Sequence, residues 1–142
     1  MSVSIALSTA LHTGFDDAVA RTREALAQQG FGVLTEIDVK ATIKAKLGED
    51  MEDYLILGAC NPALAHLALN FDRQIGVLLP CNVVVRSDPE HDDRVLVEAM
   101  NPQVLVEVTG EAALQPIAGE VTTRLQAAID TLNTSPSHAS AS

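Results

Sequence analysis

The chain has no tryptophan, one tyrosine and three phenylalanines among its 142 residues. The aromatic platforms on which single-stranded nucleic acids stack are therefore almost absent. Basic residues are scarce as well: nine Lys and Arg against nineteen Asp and Glu leave a formal net charge of −10. Such a field repels a phosphate backbone, whose binding depends on cations that release its counterions, and it disfavours anionic membranes for the same reason. Neither nucleic acid nor a membrane is expected as a partner. No apolar run approaches the ~20 residues of a membrane-spanning helix. The start, "MSVSIALSTALHTG", also lacks the basic residues and long apolar stretch of a secretory signal. A soluble, cytoplasmic protein is the expectation.

Cysteine occurs twice, as Cys60 and Cys81, and in a reducing compartment the two are expected as thiols rather than a structural disulfide. There is no C-x-x-C, no H-x-x-x-H, no glycine-rich phosphate loop and no defensible Ser-His-Asp pattern. The usual short-spaced signature of a structural zinc site is thus missing.

What is present is 47% hydrophobic residues, mostly aliphatic, which suffices for one compact domain with its own core. The domain is expected to span residues 1–133, ahead of a polar tail over 134–142 ("TSPSHASAS") whose composition predicts disorder. A small apolar-rich domain can present a self-complementary patch, so a homodimer is expected.

Residues 2–9 ("SVSIALST") read as a strand. A helix follows from Thr13, with Thr13 as cap and Asp16 three residues on, Phe15, Val19, Thr22 and Leu26 along one face, and Gly30 as its left-handed stop. "FGVLTEIDV" reads as a strand with Val33, Thr35 and Ile37 on one face and Leu34, Glu36 and Asp38 on the other. "VKATIKAKLG" is a short helix closed near Gly48, and its lysines, Lys40, Lys44 and Lys46, read as a solvated face. "DYLILGAC" is an apolar strand, and "NPALAHLALNF" starts a helix with Asn61 as cap and Pro62 at the first helical position.

"IGVLLPCNVVVR" reads as a long strand interrupted at Pro80, which cannot donate a ladder hydrogen bond. "SDPEHDD" is a polar turn and "RVLVEAM" a further strand. "NPQVLVEVTG" fits either a strand or a short helix. Ile117, Val121, Leu125, Ala128 and Leu132 recur at helical spacing after Pro116. Strands and helices in this order predict an α+β domain, one sheet with helices packed against it in two layers.

The segments "EIDVKATIKAKLG", "YLILGACNPALAHLAL" and "IGVLLPCNVVV" together resemble a bacterial and archaeal family, domain of unknown function 302, over nearly the whole chain before the tail. The residues that match the family's pattern are Glu36, Asp38, Gly58, Cys60, Asn61, Pro62, His66, Pro80, Cys81, Asn82 and Pro102. The resemblance implies a sheet backed by helices, and it favours a short helix after Asn101. It implies no activity and no cofactor.

Chemistry concentrates at the two Cys-Asn pairs. Cys60 directly precedes a helix start, where free N–H groups and the helix dipole favour a thiolate, so a thiol more acidic than the ~8.5 of a free cysteine is expected. His66, within two helical turns of Cys60, is a candidate proton carrier for it. Cys60, Cys81, His66 and Met100 are soft ligands suited to Cu(I) or zinc. Glu36 and Asp38 are a candidate carboxylate pair, and Asn61 and Asn82 are either ligand contacts or caps and turn formers. Three functions stay open: a binding module with a small-ligand or soft-metal pocket around the Cys-Asn segments; a thiol enzyme or redox protein using Cys60 with Cys81 as resolving partner; and a structural protein in which both segments only turn and pack.

Overall fold

The computed structural model describes residues 4–134, so the expected tail, apart from Thr134, lies outside the described residues. Five strands form one antiparallel sheet in the order β1-β5-β4-β3-β2: β1 (Ala6–Leu11), β2 (Gly32–Asp38), β3 (Tyr54–Cys60), β4 (Cys81–Ser87) and β5 (Val95–Met100). Strands β2 to β5 run as a meander. The helices are α1 (Phe15–Gln28), α2 (Val39–Leu47), α3 (Pro62–Phe71), α4 (Gln103–Thr109) and α5 (Gln115–Thr134). The α+β expectation is met.

Alternation within the strands decides which face is covered. Leu55, Leu57 and Ala59 of β3, Val83 and Val85 of β4, and Val95, Val97 and Ala99 of β5 are buried on one face. They share a core with Ala18, Ala25 and Leu26 of α1 and with Val121, Leu125, Ala128, Ile129 and Leu132 of α5. Those two helices form the second layer. The opposite face carries half-buried Ile56, Val84 and Leu96 and an ion pair in which Arg86 Nε donates to Glu98 at 2.6 Å. No helix among the described residues is long and apolar enough to cross a membrane.

Several elements depart from their sequence-based reading, each for a local reason. Strand β1 starts at Ala6, past Ser4 and Ile5, its ladder running from Ala6 opposite Met100 to Leu11 opposite Val95; Ser2 and Val3 of the expected strand lie outside the described residues. Helix α1 has Gly14 at its N-cap without a side-chain cap, and the Thr13 hydroxyl donates instead to Asp17 at 2.8 Å. Gly30 closes the turn with a φ of 84°, as expected. In β2 the register shifts between Val33 and Thr35, a bulge that adds one residue to the strand. Val33, opposite Ala59, thus shares its face with Glu36 and Asp38, while Thr35 and Ile37 turn to the other.

The apolar stretch before Pro80 is not a strand. Arg73–Leu78 is a 3-10 helix whose start is fixed by Asp72, which accepts from the Gln74 N–H at 2.9 Å. A cis Leu79–Pro80 bond follows, and β4 begins only at Cys81. Asn101 accepts from the Gln103 N–H at 3.0 Å and so starts α4, which settles the ambiguous segment as a helix. In the polar turn, buried Asp88 accepts from the Glu90 N–H at 2.9 Å and from Arg94 at 2.6 Å. Those bonds, the backbone amide first, hold its carboxyl below the usual carboxylate range.

Candidate functional site

Both cysteines reach one place. Strand β3 pairs with β4 so that Ala59 lies opposite Cys81, which leaves Cys60 one residue further along, at the seam where β3 gives way to α3. The seam is fixed locally: Asn61 accepts from the Leu64 N–H at 3.2 Å, and Pro62 occupies the first helical turn. Between α3, the β3–β4 end and α5 lies a slot lined by both cysteines, Asn61, Leu64, Ala65 and Val121 among others. Its empty space is about 400 Å³ counting the open mouth. The interior is narrow, with room for about two water molecules.

Cys60 is half-buried at this slot and Cys81 is buried. Burial raises the Cys60 thiol above its ordinary pKa, opposite to the acid shift expected from the helix start. Desolvation of the thiolate by the surrounding apolar side chains is the cause. Burial pushes the Cys81 thiol up to about 11, with the neighbouring Cys60 charge adding to the rise. Iodoacetamide at pH 7 should therefore modify Cys60 more slowly than a thiol in the urea-unfolded chain, and Cys81 more slowly still. A Cys60 faster than the unfolded-chain thiol would mean that the helix dipole wins.

The remaining candidates stand apart from the slot. His66 is exposed, 3.4 Å from Asn70 Nδ2 along α3, and does not line it. Met100 ends β5 opposite Ala6 and is not a wall of the slot either. The four-ligand set of Cys60, Cys81, His66 and Met100 is not assembled, and the described residues hold no group of three or more His, Cys, Asp or Glu able to hold a metal. Glu36 is ion-paired with Arg23 of α1. Asp38 caps α2, accepting from the Ala41 N–H at 2.9 Å. Asn82 is exposed on the opposite sheet face, across from Gly58.

Sequence reasoning missed the apolar walls Phe31, Leu79, Leu105 and Ile117, which come from four separate segments. For the α3 wall a signal existed: Asn61, Leu64, Ala65 and Ala68 follow the spacing of one helical face. Gly58, one of the residues in the family's pattern, has a physical reason in the structure. A side chain there would meet Thr35 Oγ1 and come within 2.8 Å of Pro80 Cγ. The proline ring cannot rotate away. Gly58→Ala should cost about 1–3 kcal/mol by overpacking and shift the amide resonances of Cys81 and Asn82. A variant as stable as the wild type, with unshifted resonances, would show that the Pro80 contact is slack.

The fold and the slot together define a small two-layer α+β domain with an apolar cleft lined by both cysteine residues. The family model for Domain of unknown function DUF302 matches residues 7–132, and the chain belongs to this family. The chain is similar to the crystal structure of an uncharacterized conserved DUF302 protein from Bacillus stearothermophilus: 31% sequence identity, a TM-score of 0.82, and coverage of 90% of this chain and 98% of that one. No curated protein matches the sequence.

Proposed function

We propose that the protein is a small binding module whose ligand enters the slot beside Cys60 and Cys81. One observation supports this above the rest: both cysteine residues line a narrow cleft whose other walls are almost entirely apolar. Ligand sites are concave and mostly apolar, with few convergent polar groups. Thiols held protonated are weak nucleophiles and weakly polar walls, which favours binding over covalent catalysis. His66, the candidate base, faces solvent. The ligand is small and either apolar or polarisable, because the slot offers no charged partner.

Xenon is a suitable probe, being small, uncharged and polarisable. Added to isotope-labelled protein, it should shift the amides of Cys60, Ala65 and Val121 and leave those of Glu36 and Asp38 in place. Ala65→Phe, which fills the cleft, should abolish the shifts. Shifts absent from the cleft, or indifferent to Ala65→Phe, would end this reading.

We further propose that a second copy of the chain docks on the sheet face away from α1 and α5. The face is apolar at Ile56, Val84 and Leu96, and its Arg86 and Glu98 neutralise each other. A neutral face on a chain of net charge −10 is where like molecules can approach, and two-fold symmetry can bring Arg86 of one copy to Glu98 of the other. Light scattering should give a dimer at micromolar concentration that Val84→Glu converts to monomer. A monomeric wild type would rule it out.

A further inference from the structure

We propose that the free edge of β1 is a docking strand for another protein, taking an extended segment that carries lysine or arginine as a further strand of the sheet. It stands apart from the slot and from the open sheet face. Among the described residues β1 pairs only with β5, so one side of its backbone has no neighbouring strand. Which groups point that way follows from one bond. The Asn101 N–H donates to the Ile5 carbonyl at 2.9 Å, and the register runs unshifted from Ala6 opposite Met100 to Leu11 opposite Val95. Ile5 and Asn101 are therefore a hydrogen-bonded pair, and in an antiparallel ladder such pairs alternate with non-bonded ones. Leu7, Thr9 and Leu11 thus bond to β5, whereas the N–H and C=O of Ala6, Ser8 and Ala10 point to the free edge. Ser4 agrees with this: its hydroxyl donates to the Ala6 carbonyl at 3.0 Å and accepts from the Ala6 N–H at 3.4 Å. Among the described residues nothing takes the outward groups of Ser8 and Ala10. A strand added there gains about four backbone hydrogen bonds.

Sheet edges are ordinarily guarded against pairing by bulges, charges or proline, and the two edges of this sheet differ. Strand β2 has the bulge between Val33 and Thr35 and the carboxylates of Glu36 and Asp38. Strand β1, Ala-Leu-Ser-Thr-Ala-Leu, has no bulge, charge, proline or glycine. The charge of the partner follows from what surrounds the strand. Asp93, 82% exposed, lies 3.8 Å from His12, the residue after β1. Glu98 stands opposite Ser8, and the cations nearby are engaged, Arg94 by Asp88 and Arg86 by Glu98. On a chain of net charge −10 this edge draws a cationic strand, whereas a second copy would bring the same carboxylates alongside. Partner side chains paired with Ser8 and Ala10 emerge on the open face next to those two short residues, where a lysine or arginine meets no bulk. Backbone bonds then give affinity and alternate side chains give selectivity.

The test is amide hydrogen exchange on the isotope-labelled full chain, with an alternating valine–lysine heptapeptide, blocked at both ends, as the probe and its valine–glutamate counterpart as control. In the free protein the Ser8 and Ala10 amides should exchange rapidly while those of Leu7, Thr9 and Leu11 are protected. The lysine peptide should slow exchange at Ser8 and Ala10 by more than about tenfold, and the glutamate peptide should not. Ser8→Pro removes an outward donor and spares the ladder to β5, so it should abolish the response. If that variant fails to fold, exchange in the wild type decides alone. Ser8 and Ala10 amides already protected in the dilute free chain would show that the chain covers its own edge, and protection that grows with protein concentration would show that a second copy does. Either result overturns the proposal, as does an equal response to both peptides or no response to the lysine peptide.

Discussion

Leu57→Ala is expected to lower the unfolding free energy by about 2–5 kcal/mol, the range for deleting a buried leucine side chain in a packed core. Leu57 is 0% exposed and central in β3, opposite Glu36 on one side and Val83 on the other, so its removal leaves a void that two flanking strands must close. Strand β3 also carries Cys60, and β4 carries Cys81. The cavity therefore loosens the two strands whose ends carry Cys60 and Cys81 to the cleft. Leu47→Ala is the control, because Leu47 on α2 is 66% exposed and should change stability by no more than about 0.5 kcal/mol. Urea denaturation of both variants decides it. Similar midpoints for the two would mean that the sheet core repacks around the missing side chain.

The contrast between Leu57 and Leu47 marks where the sequence is readable. "DYLILGAC" is a strand on apolar content alone, and Asn61 with Pro62 carries its own capping chemistry, so the seam that holds Cys60 was legible from two residues. The sharing of one cleft by Cys60 and Cys81 was not legible, since it depends on the β3–β4 register and on walls from α4 and α5, contacts that no local pattern encodes. The 3-10 helix before Pro80 was misread because Ile75, Val77, Leu78 and Leu79 are apolar enough for a strand, while the decisive signal is the single Asp72 cap upstream. The β2 bulge was hidden for a related reason: alternation assumes an unbroken register.

His66 is the instructive failure, because the arithmetic was available. At ~100° per residue, the position five residues beyond Asn61 lies ~140° round the helix from it, on the far side from Leu64, Ala65 and Ala68. Proximity in sequence to a cysteine does not outweigh helical phase. Glu36 and Asp38 were placed together correctly on one face, yet each has its own partner, Arg23 for one and the α2 N-terminus for the other. Shared orientation did not make them a pair.

Cys81 should make the protein sensitive to alkali. Its thiol is pushed up to about 11 in the folded chain, whereas an unfolded-chain thiol ionises near ~8.5. A raised pKa contributes stability that is fully present below the unfolded value and is lost as pH rises through the folded one, since the unfolded chain releases its proton first. The window is therefore roughly pH 8.5 to 11, and the loss across it is about 3 kcal/mol at most, at ~1.4 kcal/mol per pH unit. Burial is the larger cause and the Cys60 charge the smaller. Tyrosine and lysine also titrate in that range, so the informative quantity is the difference between wild type and Cys81→Ala. The packing loss in Cys81→Ala is the same at every pH, whereas the thiol contribution exists only in the wild type. Urea unfolding at pH 8 and pH 11 should show the advantage of the wild type over Cys81→Ala shrinking by about 2–3 kcal/mol. If that advantage is equal at both pH values, the buried thiol ionises as easily as an unfolded one, and Cys81 must open to water whenever its strand carries a charge.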